Sequence, residues 1–263
     1  MIRTWALMRK ECSVLFGSPI AYGVLFMVTL VTAITFFEHL RLYNQILFLF
    51  ASNTMGGFES DTIPTHVNLI DTVFNPVMEQ LGVLLIIPIP LVTMRVFAEE
   101  RQRGTDELLL TSGLTPAQII FAKYSVTLGF VVLMMAVSFV YPATAIEQGG
   151  LGWKHLASVF LGLSLLATGI AAIGLVCSAI TSSQIVAAAT TVAFTFILYD
   201  FGWTHAFVSE SVAISLDAIA LHERFAHMSE GLILLSDLVY FAALVMISAA
   251  LTRLSIELRR VGI

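Results

Sequence analysis

Charged residues are scarce in this chain. Of its 263 residues only 12% are Asp, Glu, Lys or Arg, whereas 58% are hydrophobic and the mean hydropathy is +0.91. A soluble domain carries about twice that charged fraction. The composition therefore argues against a water-soluble fold, and the length suits one polytopic membrane domain over residues 1–263.

Motifs of several functional classes are also missing. The sequence has no GxxxxGK[ST] stretch, and so lacks a loop that cradles nucleotide phosphates. It has neither a GxSxG nucleophile turn nor an HExxH zinc motif, and His222 and His227, five residues apart, do not share a helix face. The two cysteines, Cys12 and Cys177, form no CxxC motif. These absences favour a chain that is not an enzyme and binds no metal or cofactor of its own.

Long apolar runs are what the sequence does contain. They predict an all-α integral membrane protein with six transmembrane helices, at residues 17–37, 79–98, 119–146, 156–180, 184–202 and 232–254. The first run is too long for a signal-peptide core and is expected to be a retained span. Pro88 and Pro90 predict a kink in the second span. We expect external segments at 38–78, as a loop with short helical pieces, and at 203–231.

The basic residues are unevenly distributed, which predicts the topology. An even number of spans puts both termini on one side, together with the 95–123 region and the turn at 181–184. That side carries Arg3, Arg9, Lys10, Arg95, Arg101, Arg103, Lys123, Arg253, Arg259 and Arg260, whereas the other carries only Arg41, Lys154 and Arg224. By the positive-inside rule both termini are cytoplasmic. Residues 3–16 mix bases with apolar residues at helical spacing and predict a helix in the membrane interface.

The segment 99–116 is the most charged part of the chain and carries signals for a short helix. Gly104 suits the position after a helix end, where a positive φ is favoured. Thr105 can cap a new helix, and three leucines follow before Gly113 ends it. Thr115-Pro116-Ala117-Gln118 then forms a capping box that begins the third span. A helix of two turns is unstable alone and must pack on the membrane or on a protein.

This segment resembles the cytoplasmic segment of ABC-2 type transporter permeases, in particular the branch that includes the permease of the gliding-motility ABC transporter. The matching residues are Glu99, Glu100, Arg101, Gly104, Thr105, Glu107, Leu108, Leu109, Leu110, Thr111 and Ser112. Weaker similarities lie at residues 10–22, 182–187, 221–231 and 237–241, so the resemblance covers nearly the whole chain. The family often has a proline after Thr-Ser, where this chain has Gly113.

The resemblance implies a permease subunit that forms the translocation path and contacts a separate ATPase through a cytoplasmic coupling helix between spans two and three. The residues it implicates in coupling are Glu99, Glu100, Arg101, Arg103, Gly104, Thr105, Glu107, Leu108, Leu109 and Leu110. The interfacial helix would be the family's elbow helix. ATP and Mg²⁺ would bind the partner ATPases, and a second permease copy or a related permease would complete an exporter. We expect it in the lipid of a prokaryotic plasma membrane, with no nucleic-acid partner.

Two other classes stay open from the residues alone. An ion-coupled secondary transporter would place ionisable groups at mid-membrane. Glu79, Asp200 and Asp237 instead fall near predicted external ends, where we expect water to reach them. A membrane scaffold that transports nothing is the second alternative. Gly162, Gly169 and Gly174 give the fourth span a small-residue face, which favours close helix packing.

Overall fold

The part of the chain that the structure describes is mostly helical. The computed structural model describes residues 2–55, 68–106, 113–143, 153–202, 204 and 207–260, and it contains no strand within them. The helices are α1 (Ile2–Phe16), α2 (Pro19–Met55), α3 (Asn75–Leu84), α4 (Pro88–Thr93), α5 (Arg95–Gln102), α6 (Pro116–Ser138), α7 (Trp153–Ile180), α8 (Gln184–Tyr199), α9 (Glu210–Asp217), α10 (Leu221–Ser229) and α11 (Leu235–Arg260), and a π-helical turn, Ile70–Phe74, precedes α3. The predicted all-α class is confirmed.

Five helical segments of the described residues are long and apolar enough to cross a membrane. They are Pro19–Ser52, Ile70–Gln102, Pro116–Ser138, Trp153–Ile180 and Leu235–Arg259. The remaining predicted span corresponds to Gln184–Tyr199, which is apolar but has only 16 residues. A helix perpendicular to the bilayer needs about 20. The six-span count therefore stays a prediction.

The first long helix extends well beyond its predicted end. We expected a span at 17–37 and then a loop with short helical pieces, but α2 continues without a break through Met55, so the expectation was wrong for residues 38–55. The reason is that scattered charges such as Glu38 and Arg41 do not stop a helix. No glycine or proline occurs between Gly23 and Gly56. The last helix likewise runs to Arg260 rather than 254.

The second span is interrupted just before Pro88, near the kink that Pro88 and Pro90 predicted. α3 ends at Leu84, and α4 begins with Pro88 at its first position, where a missing N–H costs nothing. A second bend separates α4 from α5 at Met94. The hydroxyl of Ser178 on α7 donates to the Met94 carbonyl at 2.8 Å and accepts from the N–H groups of Phe97 and Ala98, each at 3.1 Å. One side chain thus satisfies the backbone groups at this bend.

Helix α7 is the centre of the bundle. It contacts α4, α5, α6, α8, α10 and α11, and 72% of its most apolar stretch is buried, whereas the figure is 28% for α2. The predicted small-residue face is confirmed, with a different neighbour at each glycine. Gly162 lies against Met228, Gly169 against Phe241, and Gly174 against Thr93. A side chain at any of the three would force these helices apart.

Candidate functional site

The charged end of the second span closes with a defined helix stop. The Thr105 N–H donates to the Glu100 carbonyl at 2.9 Å, and the Gly104 N–H donates to the Arg101 carbonyl at 3.1 Å. Gly104 has a φ of 67°, as the sequence predicted. This is a Schellman motif, in which glycine adopts the left-handed conformation at little cost. The chain therefore turns away from the α5 axis at Gly104.

The start of the next span is equally well defined. Thr115 accepts a hydrogen bond from the Gln118 N–H at 3.3 Å, and the Gln118 side chain accepts one from the Thr115 N–H at 3.1 Å. Pro116 occupies the first helical position. The predicted capping box is confirmed. The described structure therefore ends α5 before Gly104 and begins α6 after Thr115 with defined hydrogen bonds.

Four charged side chains pair with one another at the charged end of α5. We call them the charge cluster: Lys10, Glu11, Glu100 and Lys123. Lys123 lies at the centre of the charge cluster. Its side chain has no exposed area, although it carries an ammonium group. It pairs with Glu100 at 2.9 Å and Glu11 at 3.2 Å, and it donates to the Val96 carbonyl at 2.7 Å. A buried charge is tolerated only when it is paired and hydrogen-bonded in this way.

The charge cluster joins three helices that are distant in sequence. Glu100 lies on α5, Lys123 on α6, and Lys10 and Glu11 on α1. Lys10 pairs with Glu100 and, at 3.0 Å, with Glu11. Burial by itself lowers the pKa of Lys10, but the two carboxylates more than offset it, so the pKa is raised above its ordinary value. Lys10 therefore remains positively charged at neutral pH.

Glu99 carries a second set of contacts on the neighbouring face of α5. It pairs with Arg95 at 3.1 Å and with Arg103 at 2.6 Å, each one helical turn away. Arg95 also donates to the hydroxyl of Ser18, which lies at the break between α1 and α2. The charged end of α5 is thus linked to the start of the first span as well.

Arg101 faces the opposite way, toward the far side of the bundle. Its guanidinium donates to the Thr181 carbonyl at 3.2 Å and to the Ser255 hydroxyl at 3.4 Å. Thr181 begins the turn between α7 and α8, and Ser255 lies on α11. Ser255 in turn donates to the Ala179 carbonyl at 2.9 Å. A single arginine therefore connects α5 to the ends of α7 and α11.

The predicted coupling residues separate into three sets. Arg103, Gly104 and Thr105 are exposed. Glu99 and Glu100 are only 14% and 15% exposed at their side chains, and with Arg101 they contact helices of this chain. Glu107, Leu108, Leu109 and Leu110 lie outside the described residues.

Sequence reasoning missed Lys123, Glu11 and Ser178. Lys123 offered a signal, since a lysine about two turns into an apolar helix needs a buried partner. Nothing local marks Ser178, because serine is common in membrane helices. Its partners on α5 lie about 80 positions away along the chain. Such residues are found only when the helices are packed.

A separate ionic cluster lies at the other end of the bundle. Asp237 pairs with Arg224 at 3.0 Å and with His227 at 3.1 Å, and its side chain has no exposed area. The expectation that water reaches Asp237 was therefore wrong, because Arg224 and His227 of α10 cover it at the start of α11.

His222 does not join this ionic cluster. Its ring lies near that of Tyr199, with ring centroids 5.5 Å apart. Within the described ranges no three side chains are grouped as metal ligands would be.

Comparison with known protein families gives one match. The sequence model of a family described as ABC-2 family transporter protein matches residues 77–221, more than half of the chain. The match spans α3 to the first residue of α10, and so includes the charged end of α5, Lys123 and Ser178. No curated protein matches the chain.

Proposed function

This chain belongs to the ABC-2 transporter family, and we propose that it couples a separate cytoplasmic ATPase to export of its cargo through residues 99–116. Family membership makes it a non-catalytic, multi-pass membrane permease of an ABC transporter. The narrower similarity to the gliding-motility branch rests on the sequence alone. We propose that the chain resides in a prokaryotic plasma membrane and works as a pair of permeases with a pair of ATPases.

The charge cluster is the observation that carries the coupling proposal. A force applied at the exposed Gly104–Thr105 turn reaches Glu100 within one helical turn, and Glu100 is ion-paired to α1 and α6. Arg101, on the next position, is hydrogen-bonded to the end of α7 and to α11. Charged hydrogen bonds among mostly buried groups are strong and directional. The charged end of α5 is therefore connected to α1, α6, α7 and α11.

The proposed cycle follows from this connection. ATP binding would close the partner ATPases, and the coupling helix, seated in a groove of one ATPase, would move with it. Because α5 ends in the Schellman motif and α6 begins with the capping box, the movement would pass into α5 and α6. The bends at Pro88 and Met94 provide places where the second span can change direction. The spans would then alternate between inward-open and outward-open arrangements.

The ion-coupled alternative receives less support. The buried ionic groups described above lie at the two ends of the bundle: Lys123 beside the charged end of α5, and Asp237 at the start of α11. Both are fully paired with neighbouring side chains. A proton or sodium relay needs ionisable groups along the path between the ends.

The proposal is tested by co-expressing this chain with the proposed partner ATPase and purifying the complex. Changing Leu108 and Leu109 together to Asp should abolish the complex, because two charges cannot enter an apolar groove. The matched control changes Leu232 and Ile233 to Asp, since both are exposed near the opposite end of the bundle. That pair should leave the complex intact. An ATPase that still co-purifies with the Leu108/Leu109 variant would refute the coupling assignment.

Topology is tested separately by cysteine labelling. In a background without Cys12 and Cys177, Thr105→Cys and Glu210→Cys each place one thiol at an exposed position. A membrane-impermeant maleimide should label position 210 in intact cells and position 105 only after lysis. The reverse pattern would overturn the cytoplasmic placement of the coupling segment.

A further inference from the structure

A cavity beside the charge cluster has no assigned role. It has a volume of about 480 Å³ and lies between α1, the start of α2, α4–α5 and α6. Cavities of about 300–1,000 Å³ are the size of small-molecule sites. The transport path of a permease pair would run between the two copies, whereas this cavity lies within one chain, behind its N-terminal helix.

The wall of the cavity changes from charged to apolar along its length. At three places in the wall, a charged lining residue and an apolar one lie three or four positions apart along the chain, which is about 5 Å along a helix axis. The pairs are Lys10 and Val14 on α1, Arg95 and Leu91 at the α4–α5 bend, and Lys123 and Val126 on α6. Because charged and apolar side chains both line it, the cavity as a whole is amphipathic.

The charged end presents cations to an incoming ligand. The lining carboxylates are turned inward, with side-chain exposures of 11% for Glu11, 14% for Glu99 and 15% for Glu100. The cations at the mouth are far more exposed, 50% for Lys10 and 69% for Arg103. The surface that a ligand meets is therefore positive, although the buried layer behind it is acidic.

The apolar end continues onto the outer surface of the protein. Val14 is 52% exposed and Ile20 is 38% exposed, at the junction of α1 with the first span. In a membrane these side chains contact acyl chains rather than water. An occupant can therefore enter from the bilayer without crossing a polar barrier.

We propose that this cavity binds one anionic glycerophospholipid. Its phosphate lies at Lys10 and Arg103, and an acyl chain follows the apolar wall past Val126. Basic pockets at the membrane surface attract anionic headgroups, and the positive mouth matches that charge. The bound lipid fills the space between α1 and α5, so it stabilises the N-terminal helix against the charge cluster. This inference is independent of the proposed ATPase partner.

Native mass spectrometry of the purified chain tests the proposal, with no ATPase present. The delipidated protein is incubated with equal amounts of phosphatidylglycerol and phosphatidylcholine carrying the same acyl chains. One phosphatidylglycerol should be retained preferentially at increasing activation energy. Arg103→Gln should weaken that retention about fivefold, the effect of one basic residue near an anionic headgroup. Val126→Trp, which fills the apolar end, should abolish retention of both lipids.

Arg253→Gln is the matched control. Arg253 is exposed and pairs with Glu257 one turn away at 2.6 Å, just as Arg103 pairs with Glu99, but it does not line the cavity. Retention should be unchanged in this variant. Equal retention of the two lipids in the wild type, or equal effects of the two arginine substitutions, would overturn the proposal. Undiminished binding in Val126→Trp would place the lipid elsewhere.

Discussion

Replacing Ser178 with alanine should destabilise the protein far more than the small change in side-chain volume suggests. The Ser178 side chain has no exposed area and makes three hydrogen bonds to the backbone at the α4–α5 bend. Alanine removes all three at once and fills nearly the same volume. The N–H groups of Phe97 and Ala98 and the carbonyl of Met94 would then lose their side-chain partner inside the bundle.

The size of the effect follows from the number of bonds. Hydrogen bonds between membrane helices contribute about 0.6 kcal/mol on average and about 1.7 kcal/mol at most. Three such bonds lost together, with the donors left buried, should lower the free energy of unfolding by about 2–4 kcal/mol. A loss of this size is large against a typical total of about 5–15 kcal/mol.

Helix α7 supplies a closely matched control in Ser164. It is also a buried serine on the same helix, but its hydroxyl has no hydrogen-bond partner among the described residues. Ser164→Ala should therefore change stability by less than about 0.5 kcal/mol, or raise it, because an unsatisfied buried hydroxyl is itself unfavourable. The two substitutions delete the same atom, so their difference isolates the hydrogen bonds.

The measurement is reversible unfolding in mixed micelles by titration with SDS, followed by tryptophan fluorescence. The expected result is a lower unfolding midpoint for Ser178→Ala and an unchanged or higher one for Ser164→Ala. Ser178→Cys, which keeps a weak donor and acceptor, should fall between Ser178→Ala and the wild type. Equal stability of the two alanine variants would refute the role assigned to Ser178 at the bend.

Two further predictions use the same unfolding assay. Gly174→Ala should lower the free energy of unfolding by about 1–3 kcal/mol, because a Cβ there would overlap the Thr93 hydroxyl and lie 2.9 Å from the Thr93 Cβ. Its control is Gly129→Ala, which should not destabilise the protein because the space around Gly129 is open. Equal losses of stability in the two variants would contradict the close packing of α4 on α7. Lys123→Met should lower the free energy of unfolding by about 2–3 kcal/mol, because it leaves the carboxylates of Glu11 and Glu100 without their buried cation. This loss is somewhat smaller than that for breaking a fully buried ion pair, because Lys10 still contacts both carboxylates. The exposed Lys154 is its control, and a Lys123→Met variant as stable as Lys154→Met would show that the charge cluster does not hold the helices together.

Local signals in the sequence were reliable wherever a neighbouring residue decides the structure. Gly104 adopts the predicted positive φ, and Thr115 and Gln118 form the predicted capping box. Pro88 begins a new helix within the second span. Each of these features depends on the backbone conformation that a few adjacent residues favour, so a single stretch of sequence carries the information.

Helix ends without such a signal were predicted less well. The first span was expected to end near residue 37 because charged residues begin there, yet its helix, α2, runs to Met55. Hydropathy marks where a chain leaves the hydrocarbon of a membrane, not where its helix ends. Only the glycines at 56 and 57 offered a stop, and they lie nearly twenty residues further on.

The sequence by itself determined that this is a helical membrane protein and located its charged segment, because apolar runs and capping residues act over short distances. Only the tertiary structure decided what the charges do. Lys10 meets Glu100 across 90 residues, and Lys123 meets Glu11 across 112. Glu100, which the family resemblance implicates in coupling, also joins α5 to α1 and α6, since a charge held out of water needs a partner, and the packing of the helices selects which one.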